Sequence, residues 1–418
     1  MTPSIKQRIE QIRRGEVPEG YKQTGQNIVP ITWKRLSFDQ VAVVRSGLVS
    51  PKAEPYSSML HIGPENIEKD TGKIENVRSA SELGLISGKF YFDSSSIVYS
   101  KIRPNLNKVC VPDFEGICSA DCYSIKARND IDKNYLFVLM LSHQFYKRAV
   151  ACSMRTGMPK INQDDLNAIC LVLPEDFAEQ QKIAAILTTQ DKVIELKEKR
   201  LAEKLRQKKY LMQQLLTGRK RLTGFNLAWK KTKLKNILHE RKTYSPKGLE
   251  YPHVTLSTEG IFPKSNRYDR DHLVRNEYKE YKITHKGDIC YNPANLKFGV
   301  ICENTFGDAI FSPIYVTFEV NQNVCKEYLA NYLMRWDFIN AVRKYEEGTV
   351  YERMAVKPED FLKFEILLPH IAEQSAIAQV LSTADREISL LRQDIEQEKQ
   401  KKKALMQLLL TGIVRTTV

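Results

Sequence analysis

The feature that most limits what this chain can fold into is a long internal repeat. The segment AEQQKIAAILTTQDKVIELKEKRLAEKLRQKKYLMQQLLTG, from Ala178 to Gly218, returns as AEQSAIAQVLSTADREISLLRQDIEQEKQKKKALMQLLLTG, from Ala372 to Gly412. The offset is 194 at both ends (372 − 178 and 412 − 218), so no gap is needed. Nearly half of the paired positions are identical, Ile183/Ile377, Leu187/Leu381, Asp191/Asp385 and Leu215/Leu409 among them. Self-similarity at a fixed offset marks a structural unit used more than once, so the architecture must be built from two copies of something.

Each copy reads as one long helix. Leu381, Ala384, Ile388, Leu391 and Ile395 recur at alternating three- and four-residue steps, the spacing of a coiled-coil seam. The first copy is less regular, but Leu187, Ile194, Leu201, Leu205, Met212 and Leu215 keep a similar stripe, and Met406 matches Met212. Both copies close on Thr-Gly, at Thr217-Gly218 and Thr411-Gly412, with lysines near the end, as a helix stop should. A helix from Ala178 to Leu216 would be about 58 Å long. That is long for a solvent helix with an apolar stripe. The economical partner for each is the other copy, packed antiparallel, although each stripe could instead pack on its own domain.

The segments ahead of the helices, Trp33 to Leu173 and Trp229 to Leu368, match more faintly. WKRLSFDQVAVVRSG pairs with WKKTKLKNILHERKTY, SSSIVYSKIRPNLNKV with KGDICYNPANLKFGV, GICSADCYSI with AIFSPIYVTF, and LVLP with ILLP. Short β-branched and aromatic runs between Gly, Asn and Pro clusters predict strands, and the segments at Tyr135 and Tyr328 predict helices. The fold class is therefore α+β, with two tandem modules, each followed by a long helix. The expected boundaries are 1–173 for the first module with an N-terminal arm and 174–218 for its helix, then 219–368 and 369–418 for the second pair.

A chain of 418 residues with 42% hydrophobic and 27% charged residues has material for two or three cores. Its net charge of +14 makes a polyanion the first partner to consider, because basic surface attracts phosphate and speeds association. The N-terminal MTPSIKQRIEQIRRGEVPEG lacks the apolar stretch of a signal peptide, and no apolar run is long enough for a membrane span. No membrane partner is expected. The eight cysteines sit mostly in apolar segments, where a free thiol behaves as a small hydrophobe in a reducing compartment, so the expected location is cytoplasmic.

Ordered and duplicated, several motifs carry a resemblance. They are the W-K-x-x-x-L opening, I-V-Y-S-K-I-R-P-N at Ile97, R-T-G-M-P-K-I-N at Arg155, L-P followed by A-E-Q at Pro174 and Pro369, and the L-L-T-G helix ends; R-x-G-E-V-P-E-G-Y-K at Arg13 looks like a leading arm. Together they resemble the specificity subunit of type I restriction–modification systems over essentially the whole chain. The resemblance implies two target recognition domains, each reading one half of a bipartite site in double-stranded DNA. It implies helices that set the spacing and dock methyltransferase subunits, with a restriction/translocase subunit joining through the complex. It also implies no catalysis and no cofactor in this chain, S-adenosylmethionine and ATP/Mg belonging to the partner subunits. Two similar modules on an antiparallel helix pair would share the pseudo-twofold relation of DNA half-sites.

Catalytic signatures are weak. YNPANL at Tyr291 approaches the Asn-Pro-Pro-aromatic motif of amino-methyltransferases, but Ala294 breaks the double proline and Asn295 is not aromatic; a turn at the tip of a recognition strand is the better reading. No G-x-x-x-x-G-K-[ST] loop occurs. Cys110, Cys118 and Cys122 lack paired C-x-x-C spacing, and the histidines show no ligand spacing, so no metal is expected. The cations expected to contact DNA lie in predicted loops: Lys101, Arg103, Lys108, Arg155 and Lys160 in the first module, and Lys297, Arg343, Lys344 and Arg353 in the second. Some would hold phosphate and a few would reach base edges. The seam residues Leu187, Ile194, Leu201, Leu205, Met212, Leu381, Ile388, Leu391, Ile395 and Met406 are assigned to the coil and its partners, whereas Lys208, Lys209 and Lys401 to Lys403 are expected to be solvated or to face a partner. The alternative is a coiled-coil scaffold whose two basic modules assemble proteins without reading DNA sequence.

Overall fold

The computed structural model describes residues 3–25, 27–153, 159–246, 250–264, 280–346 and 354–416. The chain divides into two compact units, one of residues 1–197 with 394–418 and one of residues 198–393. Arg155 and Arg353 fall outside the described residues.

In the first unit an inner antiparallel sheet has the order Val109–Cys110, Ser96–Ser100, Cys122–Ala127, Ala42–Val44. The strand Ser96–Ser100 is buried along its whole length, which fits a run of β-branched, aromatic and small residues with no charged side chain. A second sheet orders Leu48–Val49, Lys89–Phe92, Gly116–Cys118, Leu60–Ile62 and Arg78–Ser79, with one parallel pair between Gly116–Cys118 and Leu60–Ile62. The helices Lys133–Leu141 and His143–Cys152 cover the inner sheet, and Phe145 packs edge-on against Tyr99 at 5.7 Å. Asp132 and Ser142 cap these two helices through Tyr135 N–H and Phe145 N–H.

The second unit repeats the inner sheet strand for strand, whereas its outer sheet has three strands against the first unit's five. Its inner sheet runs Ile301–Glu303, Ile289–Tyr291, Val316–Val320, Leu238–Glu240, again antiparallel. Its outer sheet runs Tyr244–Pro246, Glu280–Thr284, Ala309–Phe311, and a parallel bridge joins His253 to Ile310 where the first unit has its parallel pair. Lys326–Leu333 and Trp336–Val342 replace the two covering helices, and Tyr291, Phe318 and Phe361 stack in the core. Trp33 opens a strand paired with Cys170–Pro174, as Lys230–Lys233 after Trp229 pairs with Glu365–Leu368.

The two repeated segments are helices of 39 residues each, Phe177–Leu215 and Ile371–Leu409. Their ends are alike to the hydrogen bond. Gly218 and Gly412 both take φ of 71°, and Lys220 N–H reaches Gln214 O as Val414 N–H reaches Leu408 O, both at 3.1 Å.

In the first unit Ile183, Leu187, Gln190, Ile194 and Lys197 form one buried to half-buried row, and Ile395, Glu398, Lys402, Leu405 and Leu409 form another. Gln190 Nε2 donates to Glu398 Oε2 at 2.7 Å, and Lys197 Nζ bonds Asp394 at 2.7 Å and Glu398 at 2.9 Å. In the second unit the rows are Leu201, Lys204, Lys208, Leu211, Leu215 and Ile377, Leu381, Ala384, Ile388, Leu391. Lys204 meets Glu387 at 2.6 Å and Lys208 meets Asp385 at 2.5 Å.

Two expectations therefore change. Leu205 is 41% exposed and stands off the row, because Lys204 and Lys208 occupy it. Lys208 and Lys402, expected to be solvated or to face another protein, instead bond carboxylates of the opposite helix, Lys402 reaching Asp191 at 2.6 Å. A lysine can lay its alkyl stem along an apolar row and keep its ammonium at the rim, so a seam position need not be apolar.

Candidate nucleic-acid interface

The topology gathers three of the first module's basic residues at one end of the inner sheet. Strand Ser96–Ser100 runs out at Lys101, whose N–H bonds Asp121 O and whose carbonyl accepts Ile161 N–H. Ile102 bridges Lys160, and Arg103 N–H bonds Pro159 O at 2.7 Å. Segments far apart in sequence thus bring Lys101, Arg103 and Lys160 together on a tied backbone. Arg103 has φ of 48°, a left-handed conformation that L-residues adopt at a cost and that surrounding hydrogen bonds must hold. Its side chain is exposed, as is that of Lys160.

Lys101 is set differently. Its Nζ lies 5.3 Å from the Tyr123 ring centroid and 5.9 Å from that of Phe90. Burial and then the neighbouring Lys160 charge push its pKa below the ordinary lysine value, against the opposing pull of Asp121. The ammonium is thus held between two aromatic rings and beside another cation. Lys108 is spent otherwise, its Nζ donating to Pro64 O at 2.5 Å.

In the second module the corresponding hairpin carries Lys297 in the short turn Leu296–Phe298, which abuts helix Trp336–Val342. That helix runs on into the exposed pair Arg343 and Lys344, Arg343 lying 3.3 Å from Glu346. The YNPANL segment is indeed a turn: Asn292 is buried, and its Oδ1 accepts the Ala294 N–H at 3.1 Å. The turn-by-turn match makes Asn105, not one of the first module's cations, the positional equivalent of Lys297.

Sequence reasoning missed the ion pairs that brace each module. Arg45 is joined to Asp93, whose carboxylate also receives Ser95 N–H at 2.9 Å and the Ser95 and Ser96 hydroxyls. Arg241 forks onto Asp288 at 3.0 and 3.1 Å in the second module. Arg45 N–H bonds Ser124 O where Arg241 N–H bonds Thr317 O, so the two arginines are equivalents. The matching alignment of V-R-S with E-R-K was a signal, but the partners Asp93 and Asp288 lie at different steps before the following strand.

Among the described residues no helix is long and apolar enough to cross a membrane, and no His/Cys/Asp/Glu group could hold a metal ion. Leu187 and Leu381 are fully buried, Ile194, Ile388 and Ile395 nearly so, and Leu201, Leu391, Met212 and Met406 half-buried. Some apolar side chains on the helices are left outside: Phe177 and Leu196 on the first, Ile371 and Leu390 at the same repeat positions on the second.

A profile of the type I restriction modification DNA specificity domain matches residues 64–206 and 226–400. The chain is 39% identical over 181 residues to the type I restriction enzyme EcoDI specificity subunit of Escherichia coli, a match covering 43% of this chain and 38% of that protein. It is 25% identical over 333 residues to the MjaVIII specificity subunit of Methanocaldococcus jannaschii, covering 72% and 75% of the two chains. Two solved chains share the fold: one from a study of type I R-M complex assembly, with a TM-score of 0.59 at 16% identity over 92% of this chain and 99% of that one, and the S subunit of M. genitalium, with 0.56 at 12% over 95% and 99%.

Proposed function

This chain belongs to the type I restriction-modification DNA specificity family, and from that premise we propose that each of its two modules reads one half of a bipartite target in double-stranded DNA. The observation that carries the reading is the duplicated inner sheet with cations at its turn end, Lys101, Arg103 and Lys160 in one copy and Lys297 in the other. Arginine and lysine there can neutralise phosphates and, where they enter the major groove, bind guanine O6 and N7. Arg155 and Arg353 belong to the same proposal on sequence grounds.

The helices serve as spacer. Residue numbers fall on one helix as they rise on the other, Asp191 to Lys402, Lys197 to Asp394, Lys204 to Glu387 and Lys208 to Asp385, which supports an antiparallel coiled coil. Docking of methyltransferase subunits, one at each copy, belongs to the same proposal on the ground of family membership. In this reading the chain is non-catalytic and acts in the cytoplasm; S-adenosylmethionine, ATP and Mg are bound by its partners, including a restriction subunit joined through the complex.

Selection from random DNA by the chain with its methyltransferase partner tests the reading. A two-part consensus is expected, and exchanging residues 33–173 for those of a relative should alter one part alone. Association with the partner but no preferred DNA sequence would favour a protein scaffold instead; changes in both parts would contradict modular reading.

A further inference from the structure

The turn Leu296–Phe298 of the second module presents one side chain that the cations do not explain. Phe298 is 60% exposed, yet its backbone is tied on both sides, Phe298 N–H to Asn295 O at 3.0 Å and Gly299 N–H to Leu296 O at 2.8 Å. Leu296 anchors the turn in the core, and Gly299 closes it with φ of 80°. A lone exposed hydrophobe is ordinary on a surface. Here, however, the ring stands on a rigid turn between two strands of the inner sheet, with Lys297 Nζ 5.4 Å from its centroid.

The first module supplies the comparison. Its turn Pro104–Leu106 is closed by Asn107, also left-handed, and anchored by buried Pro104. Leu106, the equivalent of Phe298, is half-buried. The two modules thus share the turn and differ in what it offers: a retracted leucine in one, a projecting aromatic ring beside a cation in the other.

We propose that Phe298 is an apolar wedge that inserts between adjacent bases of the duplex, with Lys297 on a flanking phosphate. This rests on the DNA-reading function above and deepens it. An inserted apolar side chain partly unstacks a base step and kinks the duplex. TA and CA/TG steps yield most readily, so part of the second half-site is read through deformability, while the first module has no such wedge at this turn.

The test uses the full chain with its methyltransferase partner. DNA selected by the wild type carries 2-aminopurine at successive positions across the second half-site. One step should brighten on binding. Phe298→Ala should abolish that signal and weaken specific binding about tenfold, the loss expected for one stacking contact, with the first half-site still selected. Phe298→Leu should keep part of both. The substitution removes an exposed ring, so an unchanged thermal unfolding profile is expected and is measured alongside. Unchanged fluorescence and affinity in Phe298→Ala would overturn the wedge alone. Lost association with the partner, with the DNA signal intact, would overturn it in favour of a protein contact. A wild type that selects no sequence would overturn the DNA-reading function and the wedge with it.

Discussion

The Arg415 guanidinium grips the Glu179 carboxylate through two bonds, Nε to Oε1 at 2.5 Å and Nη2 to Oε2 at 2.8 Å. Glu179 stands in the first turn of one long helix, and Arg415 lies just beyond the end of the other. The pair recurs in the second unit, where Arg221 forks onto Glu373 at 2.5 and 2.7 Å, both residues displaced by the repeat offset. The A-E-Q motif thereby gains a purpose: its glutamate takes the arginine following the opposite helix, and its glutamine bonds its own unit's backbone. Gln180 Nε2 reaches Pro174 O at 3.1 Å, and Gln374 Nε2 reaches Pro369 O at 2.8 Å.

Breaking this clasp should be costly, because Glu179 and Glu373 are almost fully buried and would lose their counter-ion. Arg415→Ala and Arg221→Ala are each expected to destabilise their own unit by about 3 kcal/mol, read by denaturant unfolding. Pairing Arg415→Leu with Glu179→Leu should recover much of that loss. A single substitution with no measurable effect would show that the carboxylate finds water instead.

Acid should loosen the first module at Asp93. Burial alone would raise its pKa, but hydrogen bonds from Ser95, Arg45 and Ser96 outweigh it and hold the carboxyl at about 2, below the ordinary 3.8. A depressed folded value stabilises the fold above the unfolded value, and that contribution is lost as pH falls from roughly 4 towards 2. Asp93→Asn should flatten the acid limb of a stability–pH curve. An unchanged limb would shift the cause to other carboxylates.

DNA binding should carry an alkaline signature of Lys101. Its lowered pKa means that it sheds its proton before ordinary lysines as pH rises, and bound phosphate should oppose that loss. At fixed salt, wild-type affinity should decline on the alkaline side earlier than that of Lys101→Arg, which stays charged. Superimposed profiles would remove Lys101 from the interface.

Salt should weaken binding steeply. With about six phosphates neutralised, affinity should fall roughly a thousandfold between about 50 and 200 mM salt. A shallow dependence in a titration by fluorescence anisotropy would contradict an interface built on the basic turns.

How much of this was legible in the chain depends on distance along it. The repeat, the helix stops at Gly218 and Gly412, and the α+β modules follow from local signals: periodicity, turn chemistry and a fixed offset. These survive folding because a helix or turn is chosen within a few residues. The YNPANL turn was read correctly for the same reason, its Asn292 being used by a residue two positions on.

What only the tertiary structure decided are the pairings between distant positions. Leu205 looked like a seam residue because leucine is apolar, yet the opposite helix offers Glu387 and Asp385, so Lys204 and Lys208 take the row. Glu179 and Glu373 were visible as repeated letters, but nothing near them in sequence says that Arg415 and Arg221 complete them. Nor could the sequence separate Lys101, seated on Phe90 and Tyr123, from Lys108, consumed by Pro64 O. Charge and hydrophobicity are properties of a residue, whereas burial and partner depend on which segments the folded chain brings within a few ångströms.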